Sequence, residues 1–461
     1  MSSNSVRVKE AILVKPSEPT PTQVLRLSAL DSQLFLRFTV EYLLVYNPHP
    51  AGLDKSNTLA RLKSALAKSL VPYYPLAGRV RARADGSGLE VVCRGQGAVF
   101  IEANSDCTVP EFERAPKYST EWRKLLSLHV EDVLMGAPPL VVQLTWLEDG
   151  GATLGVGFSH CLCDGIGSGE FLNSFAELAS GNYSKRISLK PTTPVIWSRH
   201  LMDPPTPFRQ PPPYPAGHHH PEFKKVPDTC GFLNRFREER LVPTSITFDR
   251  KCLNELKRSA VSTSSSSTTC TSFEVLSAHI WRSWAKALNL PSKQIVKLLF
   301  SINIRNRVKP NLPNGYYGNA FVLGCAETSV KELTENGLGH ATEMVKRAKE
   351  RVDEGYVREV VESVSWKNRA VPDSVGVLIL SQWSRLGLNR VDFGMGRPVE
   401  VGPVCCDRYC ILLPVNKCEE REAVKVNLAV PTGAVDQYVH LLTRSPVSPV
   451  QSSPGSKNIN T

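Results

Sequence analysis

The fold that this sequence predicts is a mixed α/β protein of two domains joined by a long crossover, and three observations predict it. The chain has 461 residues, more than a single core comfortably organises when domains run to about 100–150 residues each. Strand-like and helix-like patterns occur in both halves. Between the halves, Pro204-Pro205-Thr206-Pro207 and Pro211-Pro212-Pro213-Tyr214-Pro215 exclude helix and central strand. The predicted division is an N-terminal domain over 1–190, a proline-rich surface crossover over 191–235, a C-terminal domain over 236–443 and a disordered tail over 444–461.

Val8–Lys15 alternates apolar and polar residues as a half-exposed strand does, and Pro16, Pro19 and Pro21 close it. Leu59, Leu62, Leu66 and Leu70 recur at helical spacing before Pro72 stops the helix. Arg79–Arg83 and Leu89–Val92 flank Asp85-Gly86-Ser87-Gly88 as a hairpin with a charged outer face. Leu140–Leu147 and Thr153–Phe158 are strand-like runs joined by Glu148-Asp149-Gly150-Gly151. After Gly165, the apolar residues Ile166, Phe171, Leu172, Phe175 and Leu178 suit an amphipathic helix ending near Gly181. His218-His219-His220 falls inside the proline-rich stretch and reads as solvated linker.

The second half opens with a strand at Thr244–Phe248, followed by a helix and the serine/threonine-rich loop Ser262–Thr269. Thr271-Ser272-Phe273-Glu274 is a capping box that starts the helix Val275–Leu288, in which His279 and Trp281 read as packed core. Lys297–Asn303 and Val375–Leu380 are strands, and Gly337–Val352 is an exposed amphipathic helix.

Composition narrows the function. Hydrophobic residues make up 41% and charged residues 21%, as in ordinary globular proteins. No apolar run approaches the ~18 residues that span a bilayer, and Met1–Lys9 lacks the apolar segment of a secretory signal. The expected location is cytoplasmic. The twelve cysteines are irregularly scattered, which favours free thiols over disulfides. Cys405, Cys406, Cys410 and Cys418 lack the paired knuckles and nearby histidine of a zinc site, so no metal is expected. The formal charge of +11 is dispersed rather than clustered. It is compatible with a phosphate-bearing small ligand or with an unremarkable basic surface, and no nucleic-acid module accompanies it.

The chemistry concentrates in Phe158-Ser159-His160-Cys161-Leu162-Cys163-Asp164-Gly165, where a strand gives way to a helix. Histidine titrates nearest neutrality and is the natural acceptor of a hydroxyl proton. Asp164 admits two roles: it orients the imidazole as the acid of a triad does, or it is structural, capping the helix or pairing with a buried arginine. The spacing favours the structural role, because a strand-to-helix bend turns Asp164 away from the ring. Cys161 and Cys163 raise a rival route through an acyl-cysteine. Three further segments stand out: Asn303-Ile304-Arg305-Asn306-Arg307 with Gly315-Tyr316-Tyr317-Gly318-Asn319 after it, Ser381-Gln382-Trp383-Ser384-Arg385-Leu386, and Asp392-Phe393-Gly394-Met395-Gly396-Arg397-Pro398.

In their order and spacing these segments resemble the BAHD family of plant acyl-CoA-dependent acyltransferases, from residue 6 to about residue 442. Leu27-Ser28-Ala29-Leu30-Asp31, Tyr74–Arg79 and Ser272–Arg282 agree as well. The resemblance implies two chloramphenicol-acetyltransferase-like domains with a solvent channel between them and His160 midway along it. It implies that His160 is the general base and that Asp164 pairs with Arg305. It places Ser381 and Trp383 opposite the histidine, where they help to hold a tetrahedral intermediate. Asp392, Phe393, Gly394 and Gly396 belong to a loop that supports the architecture, and Met395 departs from the family's tryptophan there. The implied reaction forms an ester from acyl-CoA, as co-substrate, and an alcohol, through a ternary complex with no bound cofactor. Phenylpropanoid or long-chain alcohols are favoured as acceptors, and a monomer without membrane span is expected. A non-catalytic accessory protein of fatty acid elongation with the same fold is the alternative. A carrier-dependent condensation domain fits less well, because Ser159 stands where its motif has a first histidine.

Overall fold

The structure is a computed structural model that describes residues 6–50, 52–114, 123–126, 134, 136–181, 194–203, 220–263, 269–365, 370–403, 409–415 and 423–444. In the first half the order is β1 (Val6–Val14), β2 (Gln23–Arg26), β3 (Thr39–Tyr46), α1 (Lys55–Ser69), β4 (Arg79–Ala82), β5 (Leu89–Cys93), β6 (Ala98–Ser105), α2 (Val109–Arg114), β7 (Leu140–Trp146), β8 (Ala152–Ser159) and α3 (Gly165–Ala179). The second half continues with α4 (Phe232–Glu238), β9 (Leu241–Phe248), α5 (Arg250–Ser262), α6 (Ser272–Ala287), β10 (Ile295–Asn303), β11 (Phe321–Ser329), α7 (Val330–Glu335), α8 (Leu338–Glu350) and α9 (Glu354–Ser365). It ends with β12 (Val377–Gln382), β13 (Glu400–Pro403), β14 (Cys410–Pro414), β15 (Val424–Pro431) and α10 (Val435–Thr443).

Two six-stranded mixed sheets organise these elements, in the orders β1-β6-β7-β8-β3-β13 and β11-β10-β12-β14-β15-β9. A small sheet, β2-β5-β4, contains the hairpin expected from Arg79–Val92. The capping box at Thr271 and Glu274 forms as expected and starts α6. The helix at 338–350 is amphipathic, but it is not simply exposed: Leu338, Ala341, Val345 and Ala348 are buried and α8 packs on α6.

The two sheets share residues rather than dividing cleanly at the crossover. β13, from within the sequence range of the second half, pairs with β3 of the first sheet, with Val401 opposite Leu44. Side chains alternate along β14: Cys410 and Leu412 face the second core, while Ile411 and Leu413 join the first. Tyr317, Trp383, Phe393 and Met395 also pack in the first core. One face of the second sheet therefore lies against the first half, and the seam between them positions the site.

The described part of the crossover is largely at the surface but anchored at buried points, and the solvated reading of His220 fails. His220 is buried between Glu222 (3.2 Å) and Glu359 (2.9 Å), with its ring against Tyr356, so it is no solvated linker residue. Arg199 is buried too and paired with Asp31 at 2.7 Å. Glu359 and Asp31 come from distant sequence, which is why composition alone hid these contacts. His218, His219, the polyproline runs, Cys405, Cys406, Cys418 and the tail beyond Arg444 lie outside the described residues.

Candidate active site

β8 is buried along its whole length, and its glycines serve close approach: a Cβ at Gly155 would sit 2.4 Å from the carbonyl oxygen of Leu125. The strand ends at Ser159, and the chain turns through 160–163 before α3 begins. His160 stands on that turn. Its N–H donates to the Phe38 carbonyl at 2.9 Å, and its own carbonyl accepts from Asn319 Nδ2 at 2.7 Å. The imidazole lies between two rings, Phe38 at 5.3 Å and 64° and Phe321 at 5.9 Å and 41°. Phe38 belongs to the first half and Phe321 opens β11 of the second, so the imidazole sits at the seam.

Burial holds His160 below the ordinary histidine value, against the opposing pull of the Asp164 charge and nearby polar groups. A shift in this direction favours the neutral ring, the form that accepts a proton. Its Nδ1 is buried and has no hydrogen-bond partner of ordinary geometry, so no carboxylate orients the ring from that side.

Asp164 points elsewhere. Its Oδ1 accepts from Gly167 N (3.0 Å), capping α3, and from Arg305 Nη2 (3.1 Å). Its Oδ2 accepts from Arg305 Nη1 (2.8 Å) and from Ala320 N (3.1 Å). Burial alone would raise this carboxyl; the Arg305 guanidinium and the two backbone N–H groups overcome it and hold Asp164 below the usual carboxylate range. Both structural alternatives open at the level of sequence, cap and arginine partner, are thus realised at once. Arg305 also donates to the carbonyls of Tyr316 and Gly318 and to Asn303 Oδ1, so the pair ties α3 to the loop before β11.

Ser381 is the fifth residue of β12 and Trp383 follows that strand directly. Trp383 Nε1 donates to Ser381 Oγ at 3.2 Å, and the indole lies 4.6 Å from the Tyr42 ring at 31°. Because the indole occupies one lone pair of the serine oxygen, the serine O–H remains available as a donor. Tyr409 stacks on Phe38 at 6.0 Å and 26°, carrying the aromatic wall beside His160 into the second half.

The Asp392–Gly396 loop makes its contacts on α1 and α3. Asp392 Oδ1 accepts from Gly394 N (2.7 Å) and Gly396 N (3.0 Å), Arg61 donates to the carbonyls of Phe393 and Gly394, and Phe393 packs 4.8 Å from Phe175. Met395 is buried in the same core, so this position keeps its packing without the tryptophan. Cys161 and Cys163 are fully buried, and burial pushes both thiols up to about 12. Neither carries the thiolate that an acyl-cysteine route needs.

Phe38, Tyr42, Asn319 and Tyr409 complete these surroundings, and of these only Asn319 lies in a segment that the sequence marks. The Gly-Asn pair at 318–319 was noted as a motif, but which atom Asn319 would bond is a tertiary fact.

A family model described as the Transferase family matches residues 4–441. The chain belongs to this family, the BAHD acyltransferases. As a BAHD protein it is 34% identical to omega-hydroxypalmitate O-feruloyl transferase of Arabidopsis thaliana, over 94% of this chain and 92% of that one. It is 33% identical to benzyl alcohol O-benzoyltransferase of Petunia hybrida, over the same shares. Among solved structures it resembles vinorine synthase, with a TM-score of 0.71, 22% identity, and coverage of 94% of this chain and 96% of that one. It also resembles F. graminearum TRI101 complexed with coenzyme A and deoxynivalenol, with a TM-score of 0.68, 16% identity, and coverage of 90% and 96%. These likenesses bear out the two-domain mixed α/β fold, and this BAHD protein is an acyltransferase.

Proposed function

We propose that the protein transfers an acyl group from a CoA thioester to the hydroxyl of an alcohol, with both substrates bound together and His160 as the base. The observation that carries this reading is the placement of the His160 imidazole at the seam of the two halves, between Phe38 and Phe321, with its backbone fixed on both sides. The hydroxyl proton passes to His160 as the oxygen attacks the thioester carbonyl. The Ser381 O–H, with its oxygen held by Trp383, is the donor available to the oxyanion that forms. Collapse expels the CoA thiolate, and the imidazolium returns the proton to it. Asp164 serves this chemistry only by holding α3 and the loop before β11.

Relatives named for feruloyl, benzoyl and caffeoyl transfer to hydroxy fatty acid, benzyl alcohol and fatty alcohol support an alcohol acceptor and an acyl-CoA donor. They give no support to the accessory-protein alternative. The test is a mass-spectrometric screen of the purified protein and of His160→Ala against a panel of acyl-CoAs and alcohols. Ester formed by the wild type and lost by about 10²–10⁴-fold in the variant is expected. No ester above a boiled control, or full activity in His160→Ala, overturns the proposal.

A further inference from the structure

We propose that Asp31 is the positioning residue for His160, acting through Asn319 and Arg199 on the backbone of the turn that carries the imidazole. This rests on the reading of His160 as base. Asp31 is fully buried and gathers donors from two distant segments and from its neighbour Ser28. Its Oδ1 accepts from Asn319 N and Asn319 Nδ2, both at 2.9 Å. Its Oδ2 accepts from Ser28 N (3.0 Å), Ser28 Oγ (2.7 Å) and Arg199 Nη1 (2.7 Å).

Both of its long-range partners reach on to the catalytic turn. Asn319 Nδ2 donates to the His160 carbonyl at 2.7 Å, and Arg199 Nη2 donates to the Leu162 carbonyl at 2.7 Å. One carboxylate therefore braces two carbonyls of the turn. The first lies in the His160–Cys161 peptide plane, which adjoins the His160 Cα directly. The second lies in the Leu162–Cys163 plane two residues on, which holds the rest of the turn in register with it. The guanidinium is confined: Trp197 lies 5.3 Å from it on one side, and a Cβ at Gly318 would come within 2.4 Å of Nη1 on another. A buried ion pair is a poor source of net stability, since apolar replacements often do as well. Its geometric output, two fixed carbonyls on the turn that carries the imidazole, is what such a pair supplies here. The crossover segment that carries Arg199 thus belongs to the catalytic assembly.

The test uses the full chain with histidine side chains labelled for NMR, and the His160 resonance is assigned by its absence from His160→Ala. Asn319→Ala and Arg199→Lys are compared with the wild type, the lysine keeping the charge opposite Asp31 without the fork that also reaches Leu162. The expected result is a moved His160 resonance in both variants with the His279 resonance unmoved. For the acyl-CoA and alcohol pair that the wild type turns over fastest, kcat should fall by about 10²-fold in Asn319→Ala, the scale of an ångström-level misplacement. It should fall less in Arg199→Lys, and KM for acyl-CoA should change less than kcat in both. An unmoved His160 resonance in either folded variant overturns the positioning role, whatever the turnover. Full activity in His160→Ala would instead overturn the base assignment while leaving the resonance result to stand. If Asn319→Ala does not fold, Arg199→Lys decides alone.

Discussion

Replacing Asp164 with alanine separates a structural aspartate from a catalytic one. The carboxylate makes four hydrogen bonds, two of them to Arg305, with side-chain exposures of 7% and 15% across the pair. Removing one partner of a buried pair costs about 3–5 kcal/mol because the other charge is left uncompensated, and a lost N-cap adds about 1 kcal/mol. Asp164→Ala should therefore lose about 5 kcal/mol, a large part of the ~5–15 kcal/mol that holds a domain together. Removing the orphaned charge as well, in Asp164→Ala/Arg305→Met, should recover about half of that. The pH dependence has a definite sign. Because the folded carboxyl is held below its unfolded value of about 3.9, its contribution is fully present above that pH and is lost as pH falls through the lower folded value. Urea unfolding followed by tryptophan fluorescence at neutral and acidic pH measures all three proteins. Turnover of the folded double variant should exceed that of His160→Ala by at least about tenfold, since the base is intact. The reasoning is refuted if Asp164→Ala is as stable as the wild type, or if the folded double variant is as inactive as His160→Ala.

The remaining predictions concern the reacting groups. Ser381→Ala should lower kcat by about 10²–10³-fold as an oxyanion donor is removed, whereas Trp383→Phe keeps the ring on Tyr42 and should cost less, both read from steady-state ester formation. Since burial holds His160 below the ordinary histidine value, the acid limb of kcat/KM should lie below pH ~6.5, and a pH–rate profile checks it. Cys161→Ala and Cys163→Ser should retain turnover, and acid-quenched single turnovers without alcohol should show no acyl-protein by intact mass. Gly318→Ala places a Cβ 2.4 Å from Arg199 Nη1 and should lower turnover by displacing the guanidinium from Leu162.

Some elements were legible because their surroundings are local. The alternation of β1, the leucine spacing of α1, the capping box of α6 and the turn between β4 and β5 are each written within about fifteen residues. β3 and β14 lack such a mark: both are buried without clean alternation, and neither has the short turn that joins the equally buried β7 and β8. β13, four residues long, is a strand only because β3 of the other half offers it an edge.

The sequence by itself determined the family and the candidate centre: a histidine where a buried strand gives way to a helix, accompanied by Arg305, Ser381 and Trp383 in an order that marks the family. It also limited the part Asp164 could play, since the bend turns that side chain from the ring. Tertiary structure alone decided what holds the histidine. The residues that fix its backbone, Phe38, Asn319, Arg199 and behind them Asp31, come from segments as far apart as residues 31 and 319. Hydrogen bonds of about 3 Å between such segments leave no periodic trace along the chain, because they depend on which surfaces meet when two buried sheets close on one seam.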